Sequence, residues 1–240
     1  MMAARDAYTS AYEDYLRALK LNPQHPDALE GFVRMAVLTR RGEDALGWLK
    51  TLTSEGELST PILVATARLL ASTGAQSDAV ATARRASDRA DGADAFEQLA
   101  TLQADTGDRE ALETTLKRMR VSLPEAAPTA YFEGVAAFLR GDAAAARRHA
   151  ERALAIDPAF AAAHDLAGAA SIKLGEVREA REAFLASLRV DAHDSTAYTN
   201  LGVLALNEGD REAAADFFAE ALWLEPDSRL ARDGLARALQ

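Results

Sequence analysis

Residues 195–228 read STAYTNLGVLALNEGDREAAADFFAEALWLEPDS, two apolar-patterned runs parted at Gly209-Asp210 and closed by Pro226. Ala214, Phe218 and Ala221 fall at helical spacing, so they share one face of the second run. The pattern recurs. Gly107, Gly141, Gly175 and Gly209 stand 34 residues apart, and Gly74 precedes Gly107 by 33. Pro124, Pro158, Ala192 and Pro226 keep the same step, as do Ala146, Ala180 and Ala214, and then Ala153, Ser187 and Ala221. Independent ladders at one period identify a repeat architecture.

Each ladder has a physical cause. A glycine just after the first helix of a unit takes the left-handed conformation that caps it. The acid that follows (Asp108, Asp142, Glu176, Asp210) sits where a second helix begins, beside unsatisfied N–H groups. Proline then stops that helix. The alanines let neighbouring helices cross closely, and Phe184 and Phe218 fill the space between them. The expectation is a stack of helix pairs without a sheet.

Composition agrees. The chain is 49% hydrophobic but only 6% aromatic, much of the apolar content being alanine, the strongest helix former. The net charge of −10, with the acid excess weighted toward residues 121–240, disfavours nucleic acid and anionic lipid as partners. Cysteine is absent, which removes disulfides and thiolate sites. No stretch reads as a membrane span or a signal peptide, so direct membrane insertion is not expected. If these residues are the full-length protein the compartment is cytoplasmic, and otherwise it is open.

Residues Tyr198, Leu201, Gly202, Gly209-Asp210, Ala214, Phe218, Ala221 and Pro226 closely resemble the tetratricopeptide repeat. The resemblance spans the chain: a half-repeat or N-terminal cap at 3–25, repeats at 26–59, 60–92, 93–126, 127–160, 161–194 and 195–228, and a capping helix at 229–240. It is weakest early, where Gly42 is displaced and Leu52 and Glu57 stand in the small-residue and proline slots. The resemblance implies an all-α, right-handed superhelical solenoid of antiparallel helix pairs, with ligands held on the concave face.

Nothing in the chain reads as an active site. His25, His149, His164 and His193 are never paired at metal-ligand spacing, so neither metal nor cofactor is expected. His164 occupies a slot for a large packed side chain; His25 and His193 fall in turns. Single glycines at repeat positions make no phosphate loop. The arginines at 84, 85, 89, 147, 148 and 152 fall on second helices among acids, as on a solvated face.

Function therefore rests on surface. The register turns Glu30, Arg34, Val64, Arg68, Glu97 and Thr101 toward the ligand face in the first half. In the second half it turns Tyr131, Val135, Phe138, Asp165, Ala169, Ile172, Thr199, Val203 and Leu206 there, an apolar stripe. Such a stripe either marks a partner site or packs against the adjacent helix. The resemblance adds Asn200, a slot from which ligand backbone is hydrogen-bonded. It opposes a carboxylate clamp, since Asp165, Ala169, Leu230 and Asp233 stand where basic and amide groups would be needed. The expected partner is a protein or peptide segment. The alternatives are self-association through the solenoid ends, and a repeat region within a larger enzyme, transferase or secretion and pilus assembly machine.

Overall fold

The computed structural model describes residues 2–52, 58–89 and 93–240, and of residues 2–5 and 93 the backbone. Glu57, read above as filling a proline slot, lies outside the described residues. Among the described residues all regular structure is helical. Two compact units are present, Met1–Thr115 and Leu116–Gln240.

The first unit holds α1 (Met2–Leu21), α2 (Pro26–Leu38), α3 (Gly42–Leu52), α4 (Thr60–Ser72), α5 (Gln76–Arg89) and α6 (Ala93–Asp105). The start of α7 (Arg109–Ser122) completes it. The helix α1 precedes α2 in the chain and packs on it. It buries Tyr12 and Leu19 against α2, where the Tyr12 and Phe32 rings stack with centroids 5.0 Å apart. Trp48 closes on Phe32 edge-on at 5.4 Å, and the Arg41 guanidinium covers Tyr12 at 4.0 Å. Glu13 anchors that guanidinium in place. In the weakest repeat by pattern, aromatic contacts thus add to the buried alanines Ala28, Ala36 and Ala45, each ring pair contributing about 0.5–1.5 kcal/mol beyond its burial.

The second unit holds the rest of α7, then α8 (Ala127–Leu139), α9 (Ala143–Ile156), α10 (Ala161–Leu174) and α11 (Val177–Val190). It ends with α12 (Ser195–Glu208), α13 (Arg211–Leu224) and α14 (Arg229–Ala238). Here the alanine ladders do what the pattern requires. Ala146, Ala180, Ala214, Ala153 and Ala221 are fully buried, and so are Phe184 and Phe218. Consecutive helices pack in pairs, and first helices also touch the next first helix, α8 on α10 and α12 on α14.

The turn ladder resolves atom by atom. Gly74, Gly107, Gly141, Gly175 and Gly209 all have φ between 68° and 86°. Asp108, Asp142 and Asp210 each accept an N–H from three residues on, at 2.9–3.0 Å, capping the second helices. Glu176 occupies the same position but makes no such side-chain cap; its carboxylate pairs with Arg147 instead. In the displaced repeat, Arg40 takes φ 58°, the left-handed turn that glycine takes elsewhere.

Proline is not what ends the second helices. The helix α11 stops at Val190 with Ala192 in the proline slot. Asp191 ends it in an extended conformation and accepts the His193 N–H at 2.9 Å, as Asp157 does for Ala159.

Candidate functional site

In the first unit, the first helices α2, α4 and α6 lie side by side and enclose a cleft of about 770 Å³. Its floor is apolar: Leu29, Val33, Val64, Ala65 and Ala95 present buried side chains. Pro26 and Pro61, each at the start of its helix, stand exposed at the edge. Four carboxylates line it, Asp27 and Glu30 from α2 and Asp94 and Glu97 from α6. Arg68 from α4 and Arg89 from α5 are its cations. Both are engaged: Arg68 Nε donates to Gln98 Oε1 at 2.9 Å, and Arg89 Nη1 to the Leu58 carbonyl at 2.8 Å.

Glu97 is the electrostatic centre of the cleft. Burial holds its pKa above the usual carboxylate range; Arg68 opposes this, while Asp94 and Glu30 reinforce it. Arg34, also placed on this face from the sequence, stands outside the cleft lining and bonds Glu30 at 2.9 Å.

The second unit's apolar stripe packs inward. Tyr131, Val135 and Phe138 are half-buried against a cluster that includes Ala137, Ala146, Leu166 and Ala170. Tyr131 makes edge contacts with Phe132 at 4.8 Å and Phe160 at 5.1 Å. Val203 and Leu206 pack on the Phe218 cluster. Thr199, expected on the ligand face, is 8% exposed, and its hydroxyl donates to the Ser195 carbonyl of its own helix. Asn200 is half-buried, and Ile172 is the stripe's exposed member. His164 is half-buried, with Nε2 3.0 Å from the Pro158 carbonyl oxygen.

The family model for the tetratricopeptide repeat matches residues 166–233. A tetratricopeptide repeat protein from Parabacteroides merdae superposes with a TM-score of 0.72 at 14% identity, covering 99% of this chain and 94% of that one. Residues 166–233 thus match the repeat itself, and the chain shares the fold of tetratricopeptide-repeat proteins. A thermophilic tetratricopeptide-repeat protein of Thermus thermophilus aligns at TM-score 0.64 and 20% identity, over 75% of this chain and 99% of that one. A chain in the crystal structure of the APC/C hetero-tetramer Cut9-Hcn1 aligns at 0.67 and 18%, over 97% of this chain and 46% of its own length. This chain therefore spans under half of that neighbour. At these identities the likeness is one of fold.

The repeat register explains how the cleft arises. Asp27 and Glu30 hold the same two positions on α2 that Asp94 and Glu97 hold on α6 and that Pro61 and Val64 hold on α4. The acids therefore flank an apolar middle helix. Glu30, Val64, Arg68 and Glu97 were legible as facing this way; Arg89 was expected on a solvated second-helix face and instead lines the cleft, and nothing was assigned to Asp27 and Asp94. Their signal was the repeated Asp-x-x-acid step at 27–30 and 94–97.

One feature of the second unit is electrostatic without being open. Asp194 caps α12, accepting N–H groups of Thr196 and Ala197, and its other oxygen accepts the Ser187 hydroxyl at 2.7 Å. Asp165 adjoins it with Oδ1 buried and without a hydrogen-bond partner. Burial first, and then a shared proton and charge repulsion with Asp194, push the Asp165 pKa up to about 9. It is a carboxylic acid at neutral pH and adds no anion to this part of the second unit.

Proposed function

We propose that the chain is a non-catalytic scaffold that holds an extended or helical segment of a partner protein in the cleft between α2, α4 and α6. The observation that carries this is the cleft itself, a preformed concavity with a buried apolar floor and a polar edge, on the face where tetratricopeptide repeats hold ligands. Preformation lowers the ordering cost of recognition, and the apolar floor supplies contact area. An enzymatic role has no constellation of residues to support it. No helix among the described residues is long and apolar enough to cross a membrane.

A photo-crosslinking amino acid at Pro61, compared with one at Ile172, tests the proposal. Adducts to a defined partner segment from Pro61 and not from Ile172 support the cleft; the reverse pattern moves the site to the second unit.

Self-association through the C-terminal end is the second reading. Leu230 on α14 is 60% exposed and Leu239, the residue that caps its C-terminus, 71%. A mass that rises with concentration in light scattering, and that Leu230→Ser with Leu239→Ser abolishes, would favour it.

A further inference from the structure

We infer that the cleft between α2, α4 and α6 selects a partner segment that presents a lysine or arginine among apolar residues. The inference rests on the cleft being the partner site proposed above, and adds the chemistry of the occupant.

Two pairs of carboxylates, Asp27 with Glu30 and Asp94 with Glu97, line one cavity from opposite flanking helices. The positions equivalent to them on α8, α10, α12 and α14 are Pro128 and Tyr131, Ala162 and Asp165, Thr196 and Thr199, Leu230 and Asp233. Paired acids thus occur in the first unit's cleft and nowhere in the second unit's register.

The nearby arginines offset this field only in part: Arg34 pairs with Glu30, and Arg68 favours the ionised form of Glu97, whose pKa is still raised. Arg89 is exposed and bonded to the Leu58 carbonyl, and Arg68 is held by the Gln98 amide. Glu97 bears the cost: it is desolvated, and acids on both sides, Asp94 from its own helix and Glu30 from α2, act against its ionisation. A cation entering the cleft relieves that repulsion where water is already partly excluded, so its attraction is stronger than at an open surface.

The floor decides what carries the cation. The four acids form no compact metal-binding group among the described residues. Leu29, Val33, Val64 and Ala65 instead offer apolar surface to the methylene stem of a lysine or arginine, with its charged head at the carboxylates. An acidic segment would meet like charge on both walls.

The experiment uses the full chain and fluorescence anisotropy at about 0.15 M salt. The probes are a dodecapeptide of four leucine–lysine–serine triplets and its counterpart with glutamate for lysine. Three variants accompany the wild type. Pro61→Trp obstructs the cleft and keeps its charge. Glu30→Gln with Asp94→Asn and Glu97→Gln removes charge and keeps shape. Glu179→Gln with Glu182→Gln and Glu212→Gln removes equal charge from the second unit.

The lysine probe is expected to bind and the glutamate probe not to. Both cleft variants should weaken the lysine probe by about tenfold or more, and the second-unit variant by less than about twofold. Equal binding of the two probes, no binding of the lysine probe up to about 1 mM, or equal loss in both charge variants would overturn the inference. If Pro61→Trp abolishes binding while the cleft charge variant retains it, the site stands and its cation preference falls. If Pro61→Trp changes nothing, the partner site itself is elsewhere.

Discussion

The ring of Phe218 occupies the space that a β-carbon on Gly234 would need, and Tyr15 stands in the same relation to Gly31. In each case the ring belongs to one helix and the glycine to the sixth position of the helix that follows it in the chain. Phe218 also presses on Gly202, where a β-carbon would lie 2.8 Å from the ring. One aromatic thus joins three helices, α12, α13 and α14, and missing side chains make the room.

Gly234→Ala should therefore cost about 1–3 kcal/mol by overpacking, although alanine is the better helix former. Phe218→Ala should cost about 3–5 kcal/mol, since the ring is fully buried. Urea titrations followed by circular dichroism would check both. A stabilised Gly234→Ala would mean that α14 does not seat on Phe218 in solution.

Arg40 holds a left-handed backbone at φ 58° where five other turns use glycine. The β-carbon penalty of that conformation outweighs glycine's greater freedom in the unfolded chain. Arg40→Gly is expected to stabilise by about 0.5–1 kcal/mol, and Gly209→Ala to destabilise by a similar amount. Thermal melts of the two variants should move in opposite directions.

Asp165 gives the fold a pH dependence of definite sign. Folding raises its pKa from 3.8 to about 9, so the native state holds a proton that the unfolded chain releases. Its contribution is fully present below about 3.8 and is lost progressively as pH climbs toward 9. Asp165→Asn keeps the shape and the neutral state. It should stabilise the chain by about 1–3 kcal/mol at pH 8 and change little at pH 4. Chemical denaturation of both proteins at the two pH values is the check; an equal shift at both would remove the proton from the explanation.

Much of the fold was legible because its constraints act on single residues. A left-handed turn leaves a glycine at 107, 141, 175 and 209, and a close crossing leaves an alanine at 146, 180 and 214. Arg40 was illegible because its turn is imposed by the helices around it. Proline seemed to end the second helices, yet α11 shows that the Asp191 turn suffices.

The candidate site was legible in direction but not in depth. Glu30, Val64, Arg68 and Glu97 were assigned to the ligand face, and they do line the cleft. The greater weight fell on Tyr131, Phe138 and Leu206, because large apolar residues on that face read as exposed. Small neighbours let those side chains fold down against their own unit, Phe138 against the cluster that holds Ala146, Leu166 and Ala170, and Leu206 against the one that holds Ala214 and Phe218. Asp165 was read as a surface acid, since its pairing with Asp194 joins residues 29 apart in sequence across two helices.

The most direct test of the cleft as the partner site is a methyl NMR titration of the full chain with the lysine dodecapeptide. The methyl signals of Leu29, Val33 and Val64 are predicted to shift in proportion to occupancy, while those of Val135, Ile172, Val203 and Leu206 stay in place. Shifts concentrated on that second group, with Leu29, Val33 and Val64 unmoved, would contradict it.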